Sequence, residues 1–424
     1  MAWILVAIAV LIAIIAFVIK QDISHPVFIF EIEWAFILAL YQLNLFGFDY
    51  FEISLEAFVL LFFQLVMFPI GFFCFQKIRL KVSKIDFYPE RKETALLHKC
   101  FFVLCGISAA ILFGNDLIII RNLLQGNSFI DIARQGIATS EINGITAYLM
   151  IFIVYPTVAI SSPVCATEFF KGSKRKWQFF FANILLVGLS VLDHGGRVYL
   201  INMFVCYVLS YIICGEKVKL TKKQKRFIYV LIAAIFLIVI ALSVSRGIED
   251  IGESFYLYLS CSVPHMVSRM DQPLFADNRS YGFLSLRGFT VPIHLVLSFL
   301  GLLSGEPKGF TLAERFSIAI EQNAIIGTNV RTNAFLPAVY YFYLDFGMIG
   351  AIIGMFIYGV IIGKSYRKAK STLSKKYIAI FLYLMYGLVS SYIRFPFKTY
   401  QYALGFILIN LIYRKEQGQY ESEE

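Results

Sequence analysis

The stretch FGMIGAIIGMFIYGVIIG, residues 346–363, runs for eighteen positions without a charged side chain. A helix rising about 1.5 Å per residue needs about 20 mostly apolar residues to cross a hydrocarbon core of about 30 Å. The stretch is therefore long enough to span, and it is not alone. Residues 3–19, 58–75 and 227–244 have the same character. The whole chain of 424 residues is 59% hydrophobic and only 16% charged, where a soluble domain carries about 25% charged residues. The expectation is an all-α polytopic integral membrane protein, and residues 1–424 read as a single integral membrane domain. The first apolar stretch lacks a basic lead and a small-residue cleavage site, so it reads as a span and not as a signal peptide.

Four lysine-rich loops set the predicted topology. They are KIRLKVSK (77–84), KGSKRK (171–176), EKVKLTKKQKR (216–226) and KSYRKAKSTLSKK (364–376). Retaining all four in the cytoplasm gives about eleven transmembrane helices, within a range of ten to twelve. Their centres fall near residues 11, 37, 65, 106, 154, 185, 206, 236, 354, 385 and 407. The N-terminus is then external and the C-terminal tail internal. The net charge of +10 reports this retention, and no nucleic-acid partner is expected. The seven cysteines show no CxxC pair and no metal-ligand spacing, so no metal or cofactor is expected.

One external loop is long, residues 245–333. It contains apolar pieces that read as short helices at the membrane interface. In TLAERFSIAI, Thr311 and Glu314 have capping-box spacing, and Leu312, Phe316 and Ile320 form an apolar stripe.

Sorting the cations by predicted side exposes a bias. The cytoplasmic side holds 20 Lys and 6 Arg, while the external side holds 10 Arg and only 2 Lys, Lys308 and Lys398. Retention of positive charge does not distinguish the two residue types. Guanidinium does differ from ammonium, because its planar fork binds phosphate or carboxylate through two hydrogen bonds. Snorkelling arginines at the interface are the bland alternative. Arg197, Arg246 and Arg331 lie at predicted span ends, at the depth where a lipid would present its phosphates. Arg279 and Arg287 flank SYGFLSL in the long loop. Arg315 is expected on the solvent face of its helix.

Two stretches carry a family resemblance. One is HGGRVYL (194–200), at a junction of two spans. The other is TNVRTNAFLPAVYYFYLDFGMIGAIIGMFIYG (328–359), where a loop containing Arg331 and Asn333 enters a span through tyrosines and Asp345. With the eleven-span architecture, they resemble the oligosaccharide repeat-unit polymerases, or O-antigen polymerases, of bacterial surface polysaccharide assembly. The resemblance implies a GT-C-like, metal-independent membrane glycosyltransferase in the bacterial inner membrane, with its active face periplasmic or extracellular. It would take donor and acceptor oligosaccharides on undecaprenyl diphosphate and release that carrier. A chain-length regulator and a flippase would be its partners. Positive charge must meet the departing diphosphate, a role for Arg197, Arg246 and Arg331. His194 and His265 join them as catalytic candidates, and Asp193, His294, Asn333 and Asp345 join Arg279 and Arg287 as substrate-binding candidates. A structural ion pair with an external arginine is the other reading of Asp345. An O-antigen ligase would use the same arginine face. A flippase or transporter would show internal repeats and midplane charges, which the sequence lacks. The small-residue spacings Gly350/Gly354 and Gly359/Gly363 are explained by helix packing.

Overall fold

The computed structural model describes residues 1–78, 94–125, 148–171, 173–194, 198–214, 222, 226, 230, 251–303, 305–328, 330–333 and 335–415. Among them, seven helices are long and apolar enough to cross a membrane. They are α1 (Ala2–Lys20), α2 (Pro26–Leu43), α3 (Leu55–Ile78), α4 (His98–Leu124), a π turn (Met150–Val154) running into α5 (Tyr155–Phe170), α6 (Lys176–His194), and the long helix Ala338–Thr372. Shorter apolar helices are α7 (Val198–Cys214), Lys375–Val389 and Tyr400–Ile412. The class is all-α and membrane-spanning. Ten of the predicted span centres fall in these helices or in the π turn, and the centre at residue 236 lies outside the described residues.

The long loop is mostly helical where it is described. It holds α8 (Ile251–Ser260), α9 (Ser262–Met270), α10 (Pro273–Ala276), α11 (Arg287–Phe299) and α12 (Lys308–Glu321). After β1 (Asp49–Tyr50) and β2 (Thr94–Leu96) earlier in the chain, a short hairpin of β3 (Ala324–Thr328) and β4 (Val330–Thr332) follows, and β1 pairs antiparallel with β3. The capping-box expectation is corrected. Helix α12 begins at Lys308 after Pro307, so Thr311 lies inside it, and Glu314 is engaged elsewhere. Proline favours the first turn because its missing N–H is unneeded there. The buried stripe is Phe310, Ala313, Phe316, Ser317 and Ile320, while Leu312 is half-buried and Arg315 exposed.

The chain divides into two compact units. The first comprises Met1–Lys84, Gly252–Arg367 and Leu384–Ala403. In it, Ala2, Leu5, Ala9, Ala13 and Ala16 give α1 a small-residue face that is fully buried. The long helix Ala338–Thr372, here α13, packs by glycine. A side chain on Gly359 would overlap the Phe68 carbonyl of α3, and one on Gly363 would crowd Phe72. Such small residues let helix backbones approach where lipid supplies no hydrophobic drive. Gly350 and Gly354 do something different: they receive the ring and backbone of Phe342 from the same helix. That fold-back is possible because α13 breaks at Phe346 and Gly347, where Gly347 has φ +68.

The second unit comprises Ile85–Ile251, Lys368–Tyr383 and Leu404–Glu424. Its core is aromatic: Phe169, Phe170 and Phe180 pack with Trp177 and Tyr207. A second layer joins Val187 and Val191 of α6 to Leu200 and Met203 of α7. The fully buried Glu168 of α5 accepts from Lys375 Nζ at 3.0 Å, at the start of α14 (Lys375–Val389). The last helix, α15 (Tyr400–Ile412), is followed by a strand, Tyr413–Lys415, that pairs with Thr94–Leu96.

Candidate functional site

Arg197 and Arg246 lie outside the described residues, as does the side chain of His194, the last residue of α6. Asp193, half-buried in the second unit, accepts from Asn115 Nδ2 at 3.4 Å. The remaining candidates all belong to the first unit.

Asp345 sits at the break in α13 and is fully buried. Its carboxylate accepts from Ser280 Oγ at 2.5 Å, Leu284 N at 3.1 Å and Ser285 N at 2.9 Å. It therefore holds the turn of residues 280–286, whose two ends carry Arg279 and Arg287. The expected ion pair with an arginine is replaced by this capping role, because backbone N–H groups already fill the carboxylate's acceptor positions. Arg279 lies over the Tyr343 ring at 4.8 Å and donates to the carbonyls of Phe275, Ala276 and Asn278. Tyr343 in turn donates to Glu56.

At the other end of the turn, Arg287 binds Glu314 by two hydrogen bonds of 2.8 Å each. The next residue, Gly288, leaves no room for a side chain, which would strike the carbonyls of Phe397 and Thr399. That contact brings in the segment Pro396–Lys398. Lys398 is 3% exposed and donates to Glu321 at 3.3 Å. Burial pushes the Lys398 ammonium down to about 8, with Glu321 opposing and Arg394 and Arg287 adding to the fall. Burial raises the Glu321 carboxyl, but Lys398, Arg394 and Arg287 outweigh it and hold it below its ordinary value. Arg287, Arg394 and Lys398 thus share one field with Glu314 and Glu321: three cations against two carboxylates.

His265 is fully buried, and both ring nitrogens are engaged. Arg269 Nε donates to its Nε2 at 3.0 Å, which places the proton on Nδ1, and Nδ1 donates to the Phe335 carbonyl at 2.8 Å. Burial and the neighbouring guanidinium lower its pKa to about 4, although the Phe335 carbonyl opposes this. The ring is a neutral strut in this arrangement and has no nitrogen open to a substrate. Arg269 also donates to Gln272 and to the Gln322 carbonyl, tying α9 to the end of α12. His294 stacks on Phe310 at 4.3 Å, and its Nε2 is buried without a hydrogen bond. Arg331 is exposed on β4, and Asn333 donates to the Glu321 carbonyl at 3.3 Å.

The sequence reading placed Glu314 only in a capping box and gave no role to Glu321, Arg394 or Lys398. Two signals pointed to them. Glu314 and Glu321 are seven residues apart, on one face of α12. Lys398 is one of only two lysines on the side that the sequence predicts to be external. Glu31 was also passed over. It is fully buried in α2, with neither carboxylate oxygen hydrogen-bonded.

The structure and sequence define an all-α protein of the membrane. No family model matches the chain, and no curated protein or solved structure is significantly similar to it.

Proposed function

We propose that the protein is a membrane glycosyltransferase that polymerises oligosaccharide repeat units carried on undecaprenyl diphosphate. The reaction takes place at the outer face of the bacterial cytoplasmic membrane. The supporting observation is the cluster of Arg287, paired with Glu314, and Lys398, paired with Glu321, with the charge of Arg394 in the same field. In the proposed reaction an acceptor hydroxyl oxygen bonds to the anomeric carbon of the donor glycan. The bond from that carbon to the diphosphate oxygen breaks, the diphosphate leaves with the electron pair, and the hydroxyl proton passes to the departing diphosphate or to water. Preorganised cations stabilise charge where it develops, and they are worth more in a partly dry site than in water. These three supply that charge without a divalent ion. The carboxylates keep the cations oriented and leave a net positive field.

A deletion strain examined on a polysaccharide gel tests the proposal. The expected result is single capped repeats without a ladder, restored by the wild-type gene. Loss of surface glycan with normal lipid-linked polymer would mean a ligase instead. Repeats stranded on the cytoplasmic leaflet would mean a flippase. For the site, the Arg287→Lys and Arg394→Lys variants are expected to lose the ladder while inserting normally, and full ladders from both would reject the cluster as the diphosphate site.

A further inference from the structure

The second unit contains an open cavity of about 760 Å³ lined by His98, Lys99, Ser173, Lys174, Arg175 and Lys375 among others. Two of the four lysine-rich loops meet there, 171–176 and 364–376. A topological signal requires only that these cations stay on one side. It does not require them to converge on one concavity.

Three further features bear on what this cavity could hold. First, it lies where α4, α6 and α14 begin: His98 opens α4, Arg175 immediately precedes α6, and Lys375 opens α14. Helix N-termini carry partial positive charge, so their field adds to that of the side chains. Second, among the described residues the acid beside the cavity, Glu168, is already engaged. Glu168 is fully buried and bound to Lys375, with His98 Nε2 at 3.9 Å from the same oxygen. Third, Lys99, Lys174 and Arg175 are exposed, so their charged ends reach solvent at the cavity mouth.

We propose that this cavity binds a phosphate group on the face of the membrane marked by the lysine-rich loops. The phosphate belongs to an anionic phospholipid headgroup or to a soluble phosphate. Basic pockets between spans on this face suit such headgroups. The site lies wholly within the second unit and does not depend on the glycosyltransferase reading.

The test uses the purified full-length protein in detergent, titrated calorimetrically with dihexanoyl phosphatidylglycerol, dihexanoyl phosphatidylcholine and inorganic phosphate. Saturable binding of phosphatidylglycerol, but not of phosphatidylcholine, is expected. If inorganic phosphate binds comparably, the ligand is a soluble phosphate; if only phosphatidylglycerol binds, it is a lipid headgroup. The triple variant Lys99→Gln, Lys174→Gln, Arg175→Gln should bind roughly a hundredfold more weakly, about fivefold per cation. A charge-matched triple outside the cavity, Lys20→Gln, Lys364→Gln, Lys368→Gln, should bind as the wild type does. Equal weakening in both triples, or no saturable binding of either anionic probe by the wild type, would overturn the proposal.

Discussion

Arg287 grips Glu314 through two parallel hydrogen bonds, each 2.8 Å long, from Nε and Nη2 to the two carboxylate oxygens. Both side chains remain partly exposed, at 21% and 31%. An exposed pair of this kind contributes about 0–1 kcal/mol to stability. Its importance is geometric, because it fixes the plane of the guanidinium. Arg287→Lys keeps the charge and loses the fork. Thermal stability in detergent should change by less than about 1 kcal/mol. Chain extension should fall at least about tenfold, equivalent to about 1.4 kcal/mol of transition-state stabilisation. An unchanged ladder length distribution would contradict this.

Lys398 sets an alkaline limit. Its ammonium loses its proton as pH rises through about 8. Glu321 is held below its ordinary value and stays ionised there. Above pH 8 the cluster therefore loses one of its three cations and none of its anions, and its net positive field disappears. Activity of the purified protein should fall across that limb. Lys398→Arg should move the limb above about pH 11, because guanidinium keeps its proton. A limb at pH 8 that persists in the arginine variant would assign it to another group.

His265 is expected to matter for folding and not for proton transfer. With a pKa near 4 it stays neutral across the neutral range, and both nitrogens are bound. His265→Phe leaves Arg269 Nε and the Phe335 carbonyl without their partner, a cost of about 1–3 kcal/mol each way. The melting temperature should drop. The activity of the molecules that remain folded should keep its wild-type pH profile.

Asp345→Asn tests the capped turn. An amide has one acceptor oxygen and offers N–H groups where Asp345 accepts, so the bond from Ser285 N or that from Leu284 N must fail, while the Ser280 hydroxyl can turn to accept. The loss should be about 2–3 kcal/mol, against about 1 kcal/mol for Ser280→Ala. The double variant should depart from additivity, since both changes act on the same contact. Melting curves of the four proteins give the coupling directly.

What could be read from the chain follows from the range of the forces involved. Spans such as residues 346–363 are legible because crossing lipid demands a continuous apolar run. The packing of Gly359 and Gly363 against α3 was also legible, from their spacing alone. The same spacing at Gly350 and Gly354 misled, because the kink at Gly347 turns Phe342 back onto them. Thr311 looked like a cap, yet Pro307 starts the helix a turn earlier. The charge cluster left only traces in the sequence, the seven-residue spacing of Glu314 and Glu321 and a lysine at 398 among arginines. Arg287, Glu321 and Lys398 are brought together only by tertiary packing, through the close seat of Gly288 on Phe397 and Thr399.

The Asp345 arrangement also predicts how related sequences can diverge. Two of its three hydrogen bonds come from backbone N–H groups, which every residue but proline supplies. Only Ser280 contributes a side chain. Positions 284 and 285 can therefore change, short of proline, without losing these two bonds, whereas Gly282, with φ +89, is held by its own backbone. Position 280 should instead vary in step with position 345, 65 residues away, and a small flexible residue should persist at 347. A search for distant relatives keyed to that sparse co-variation would outperform one keyed to the loop's own letters.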